Sequence, residues 1–142
     1  MTDGLKRTPL FEMYGNYDAK VVPFAGWEMP IEFNGITEEH KMVRASAGIF
    51  DVSHMGEIEV KGKDAEAFCQ KICTNDISKL EDNQILYSFM CYENGTVVDD
   101  ILVYRFSQYD FMLVVNAGNI SKDHEWIVSH ADGYEVNINN IS

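Results

Sequence analysis

Basic residues are scarce in this chain. Eleven lysines and arginines stand against 23 aspartates and glutamates, a formal charge of −12. A field of that sign repels phosphate backbones and anionic lipid, so neither nucleic acid nor membrane is an expected partner. It still allows a small anionic ligand in a local basic pocket, and otherwise keeps the protein soluble. Long apolar runs are missing too: nothing nears the roughly 20 residues of a membrane-crossing helix. The opening Met1-Thr2-Asp3-Gly4-Leu5-Lys6-Arg7 has neither the apolar core of a secretory signal nor the Arg/Ser-rich, acid-poor look of a transit peptide. We therefore expect a bacterial cytoplasmic protein. Cysteine is limited to Cys69, Cys73 and Cys91. Cys69 and Cys73 lie four apart in an expected helix without a nearby histidine or second cysteine pair, so buried reduced thiols are expected and a metal centre is not.

What is present is globular. Hydrophobic residues make up 46% of the 142 and charged residues 24%, enough for a real core. All three prolines fall in residues 1–54, among Gly15, Asn16, Gly26, Asn34 and Gly35, where periodicity is weak. Thr8 can cap a short helix to Tyr14 with Pro9 in its first turn. A second helix is expected from Thr37 to Ala47, stopped by Gly48 and burying Met42, Val43 and Ala47.

From Met55 the pattern becomes regular. Gly56–Val60 alternates as a strand, and a helix is expected from Asp64 to Cys73. Strands at Leu86–Tyr92 and Val97–Phe106 flank an Asn94-Gly95 turn, the signature of a hairpin. A strand at Phe111–Val115, a helix at Asn119–His130 and a strand at Tyr134–Ile138 complete the order β-α-β-β-β-α-β. The expected class is α+β: an antiparallel or mixed sheet with helices on one face, like a split βαβ.

Four places can carry chemistry. Asp99-Asp100 sits inside an apolar strand, where adjacent side chains point to opposite faces. One of the two can serve a pocket; alternatively one is solvated and the other caps a turn. Val22–Pro30 mixes Phe24, Gly26 and Trp27 without periodicity, as a loop packed on a core or as a pocket wall. Asp51, Ser53 and His54 are too close in sequence to align as a nucleophilic triad, so a satisfied turn is expected, with Met55 free to press on a flat ligand. Asn116, at a strand end, can either cap the next helix or bind a heterocyclic edge, and Tyr87 is a further candidate.

Five segments, taken in order, resemble the T-protein (aminomethyltransferase) family of the glycine cleavage system. They are Arg7–Leu10, Val22–Pro30, Gly48–Gly56, Asn94–Ile101 and Val114–Ala117. The resemblance implies transfer of a methylene carbon from an aminomethyl group on the lipoyl arm of the H-protein to tetrahydrofolate, releasing ammonia. It implies Asp100, rather than Asp99, as the catalytic carboxylate, and a folate pocket lined by Met55, Tyr87, Leu102 and Asn116. It also implies a longer protein, with three domains around the folate. Residues 1–54 would then be the first segment of a discontinuous first folate-binding domain and residues 55–142 an α+β second domain. The ending Val136–Ser142 reads as a cut into that longer chain, and we expect little activity without the rest. Two rivals carry weight: the folate domain of a sarcosine- or dimethylglycine-type oxidase, and a non-catalytic folate-binding or assembly module. Arg7–Leu10, so near the start, disfavours the first, and the intact Asp99-Asp100 pair disfavours the second.

Overall fold

The computed structural model describes residues 4–142, which form two compact units, one ending at His54 and the other running Met55–Ser142. The first holds a three-stranded sheet: β1 (Lys6–Arg7), β2 (Lys20–Phe24) and β3 (Trp27–Glu32), in the order β1-β3-β2. Between β1 and β2 lies α1 (Phe11–Tyr14), and α2 (Ile36–Ala45) follows β3.

The segment Val22–Pro30, read from the sequence as an aperiodic loop, is in fact a hairpin. Ala25 and Gly26 both adopt positive φ (49° and 85°), the mirror-image turn that suits twisted strands. Its prolines obscured it, and the topology explains why they are tolerated. Pro23 lies on edge strand β2, and Pro30 lies beyond Trp27 and Glu28, the only β3 residues that β1 pairs.

Two helix starts differ from expectation. Helix α1 begins at Phe11 without a side-chain cap, because the Thr8 hydroxyl is buried in bonds to Tyr14 and Asp51. Helix α2 starts at Ile36 after Gly35 (φ 103°), and glutamates do the work assigned to Thr37. Glu32 accepts from the Ile36 N–H at 3.1 Å, and Glu39 from those of Phe33 and Asn34 at 2.6 and 2.7 Å. The expected buried side of α2 is exposed, with Met42 57% accessible. This unit buries little beyond Thr8, Tyr14 and Met29.

The second unit follows the expected order closely: β4 (Gly56–Lys61), α3 (Ala65–Ile72), β5 (Ile85–Cys91), β6 (Val97–Ser107), β7 (Asp110–Val115), α4 (Ile120–Ser129) and β8 (Asn137–Asn140). Its sheet runs β5-β6-β7-β4-β8 with every neighbouring pair antiparallel. Alternation puts Ile58, Val60, Ile101, Val103, Leu113 and Val115 on one face, packed with Phe68 and Cys69 of α3 and Ile127 of α4. The opposite face carries Tyr87, Phe89, Asp100 and Leu102 and has no helix of this unit over it. The β5–β6 ladder is irregular once: Met90 pairs with Asp99 and Cys91 with Val97, leaving Val98 as an extra residue. Val98 and Asp99 are consequently both buried.

The last strand starts three residues later than its periodicity suggests. Tyr134 leaves the ladder to pack edge-on against Phe68, with ring centroids 5.5 Å apart. Cys69 and Cys73 are buried, and burial raises both thiols, Cys73 to about 12. Among the described residues no helix is long and apolar enough to cross a membrane.

Gly62 ends β4 at φ 147°, and a β-carbon there would collide with the Glu135 carbonyl and lie 2.9 Å from the Val136 Cα. Both obstacles are backbone. Gly62→Ala is expected to cost about 2–4 kcal/mol in urea unfolding, combining strain with a clash that cannot relax by rotamer change.

Candidate functional site

The two adjacent acids of β6 take different sides of the sheet. Asp99 turns toward the helices and is 5% exposed, while Asp100 turns to the open face, opposite Phe89. Burying Asp99 without donors would be prohibitive. The chain supplies them from the turn between β7 and α4. Asn116 donates its backbone N–H at 3.2 Å and its side-chain amide at 2.9 Å, and the Asn119 amide donates at 2.9 Å. Burial raises the Asp99 carboxyl, but hydrogen bonds from Asp123, Asn116 and Asn119 outweigh it and hold the group below its usual range.

The Asn116 amide reaches across the strand as well. Its Nδ2 lies 3.1 Å from the Asp100 carboxylate and 3.1 Å from the Asp100 carbonyl. Carboxylates on both sides require the NH₂ end to face them, which assigns the amide. The side chain makes no cap bond to the turn that follows; its amide is given to the two acids instead.

On the open face the Tyr87 hydroxyl donates to the second Asp100 oxygen at 3.0 Å. That bond raises the Tyr87 hydroxyl above its ordinary range, with the nearby acids adding to it, so it stays a donor. The ring of Tyr87 meets Phe89 edge to face at 5.3 Å, and Leu102 lies directly across from Tyr87. The result is a fixed carboxylate on a shelf of half-exposed aromatic and aliphatic groups. Such a surface accepts a flat heterocycle whose N–H groups or developing positive charge meet the acid.

Of the five residues expected at the site, Asp100, Tyr87 and Asn116 are joined by hydrogen bonds and Leu102 shares their shelf. Met55 is half-buried in the bend before β4, next to Gly56, which pairs with Val115. No hydrogen bond or ring contact links it to the other four. Phe89 was overlooked, although its spacing of two from Tyr87 places it on the same face. Asn119, Lys122 and Asp123 were overlooked as well. The signal for Asp123 was an acid at helical spacing between Ile120 and Ile127, inside the apolar stripe of α4.

The Asp51-Ser53-His54 segment is a structural knot of the first unit. One Asp51 oxygen accepts from Thr8 at 2.7 Å and from Tyr14, and the other from the Ser53 N–H at 2.9 Å. The His54 ring instead packs edge-on against Phe24 at 5.8 Å. No nucleophilic triad forms.

Comparison with known proteins shows the family. Residues 10–142 match the family model described as the GCVT N-terminal domain. The chain is 58% identical over 137 residues to the aminomethyltransferase of Alkaliphilus metalliredigens, which covers 96% of this chain and 37% of that protein. It is 58% identical over 140 residues to the aminomethyltransferase of Caldanaerobacter subterraneus, covering 99% and 37%. The crystal structure of glycine cleavage system aminomethyltransferase T from Bartonella henselae matches with a TM-score of 0.90 at 37% identity, over 96% of this chain and 38% of that one. The chain thus spans somewhat over a third of the length of these relatives.

Asp51 generates a pH prediction. Burial raises its carboxyl, but bonds from Tyr14, Ser53 and Thr8 overcome this and bring it from 3.8 to about 2. A folded value below the unfolded one stabilises the fold fully above about pH 5, and the gain disappears as pH falls through about 2. Denaturation midpoints between about pH 6 and pH 2 should therefore fall further for the parent chain than for Asp51→Asn. The gap corresponds to at most about 2 kcal/mol.

Proposed function

The chain belongs to the family of the GCVT N-terminal domain, and from that membership we propose that it is the Asp-bearing part of an aminomethyltransferase of the glycine cleavage system. The proposed reaction moves a methylene carbon from the aminomethyl group on the lipoyl arm of the H-protein to tetrahydrofolate, with release of ammonia. The observation that carries this reading is the Asp100 carboxylate, clamped by Tyr87 and Asn116 beside Phe89 and Leu102 at the β5–β6 end of the open face.

The residues present suit that substrate. Tyr87, Phe89 and Leu102 offer flat apolar area for a pterin, and Asp100 offers the charge among them. Methylene transfer develops positive charge at carbon, and a carboxylate fixed beforehand stabilises it without reorganising. Asp100 can also hold or accept the proton of the attacking folate nitrogen. Holding the two reactants side by side contributes further rate, which Met55 and Asn116 would serve by bounding the pocket. Tyr87 and Asn116 each donate to Asp100, so its oxygens cannot rotate away.

The first unit fits the same reading as one segment of a discontinuous folate-binding domain. Its apolar side chains, such as Ile49 (98% exposed) and Phe50 (69%), await cover that residues 4–54 do not provide. By itself the chain would hold one wall of the folate site and show little or no turnover. The acidic H-protein and folate are the proposed partners, in a bacterial cytoplasm.

The test grafts this chain in place of the matching segment of the Alkaliphilus metalliredigens aminomethyltransferase. Transfer from aminomethylated H-protein to tetrahydrofolate is then followed. Asp100→Asn should lower kcat by about 10²–10³-fold, the scale for losing one fixed charge-stabilising group. Equal, mild losses for Asp100→Asn and Asp99→Asn would remove Asp100 from this role.

A further inference from the structure

We propose that Asp123 is a neutral carboxylic acid that donates its proton to Asp99, and that this acid–carboxylate pair holds Asn116, and through it Asp100, in position. Asp123 lies in the first turn of α4 and is fully buried. Its Oδ1 accepts from Lys122 at 2.8 Å, whereas its Oδ2 is closed off from solvent and has no N–H or O–H donor. Besides Lys122, the carboxyl of Asp99, itself buried, lies within bonding reach of the Asp123 carboxyl. Two ionised carboxylates are acceptors only, so a bond between them requires one proton.

The surroundings decide which acid keeps it. Asp99 accepts three N–H bonds, two from Asn116 and one from Asn119, and each favours its charged form. Asp123 has one opposing influence, the Lys122 ammonium, which also donates to the Val98 carbonyl and is 41% exposed at its side chain. Burial and the adjoining Asp99 prevail and push Asp123 up to about 7. Like charges sharing one buried site titrate apart in this way.

The consequence reaches Asp100 through the strand end. One amide bridges Asp99 on the helix side and Asp100 on the open side, so the position of Asp99 fixes where that amide points. Asp123 is accordingly a positioning residue. This last step rests on reading Asp100 as the reactive carboxylate; the shared proton does not.

The experiment uses the 142-residue chain with ¹³C-carboxyl aspartate and ¹⁵N asparagine at about pH 6. One aspartate should show the chemical shift of a protonated acid, and Asp123→Asn should remove that signal alone. Because an amide N–H can replace the acid as donor, Asp123→Asn should leave the Asn116 side-chain resonances in place, while Asp123→Leu should displace them. Fully ionised aspartates at that pH would overturn the proposal. So would an Asn116 signal moved as far by Asn as by Leu. An intact protonated signal together with an inert Asp100→Asn would sink the functional reading and leave the pair standing.

Discussion

A carboxylate buried at the end of a sheet is the constraint around which the second unit is arranged. Asp99 cannot sit beneath α4 unless donors meet it, and those donors come from one short stretch, Asn116 to Asn119, with Asp123 behind them. Meeting that demand fixes the turn between β7 and α4 and the start of the helix. The same amide then steadies Asp100. Structure and proposed chemistry thus share one set of hydrogen bonds, and Asn116 is where they join.

The two units are stabilised by different means. The second has an apolar core in which α3 and α4 cover one face of a five-stranded sheet. The first relies on polar closure: Thr8, Tyr14 and Asp51 form a buried knot, and Glu32 and Glu39 hold the entry to α2. Buried polar groups of this kind specify a conformation more than they stabilise it, since their net gain is small once desolvation is subtracted.

Much of this was legible in the sequence, and the misreadings have physical reasons. Strands β4 to β7 and helices α3 and α4 were found because their apolar periodicity and the Asn94-Gly95 turn agree with each other. The family was legible from five ordered segments, and matches over nearly the whole chain uphold it. The hairpin of β2 and β3 was hidden by prolines whose tolerance depends on which strand edges are free, a fact of pairing and not of composition. Thr8 and Thr37 looked like caps, but a hydroxyl is taken by whichever donor or acceptor folding brings to it. Asp123 escaped notice because an acid in an apolar helical stripe makes sense only once the opposing acid is located.

The extra residue Val98 has a consequence for how such a site can change over time. Counted outward from the Asn94-Gly95 turn, an unbroken ladder would set Val98 against Met90 and Asp99 against Phe89. Asp99 would then stand on the open shelf, and Asp100 would be driven under α4, away from Tyr87. The bulge therefore acts as a parity bit, deciding which of two chemically identical neighbours is buried scaffold and which stands on the open shelf. Point substitution at either acid leaves that bit intact, whereas gain or loss of a single residue within this stretch inverts it.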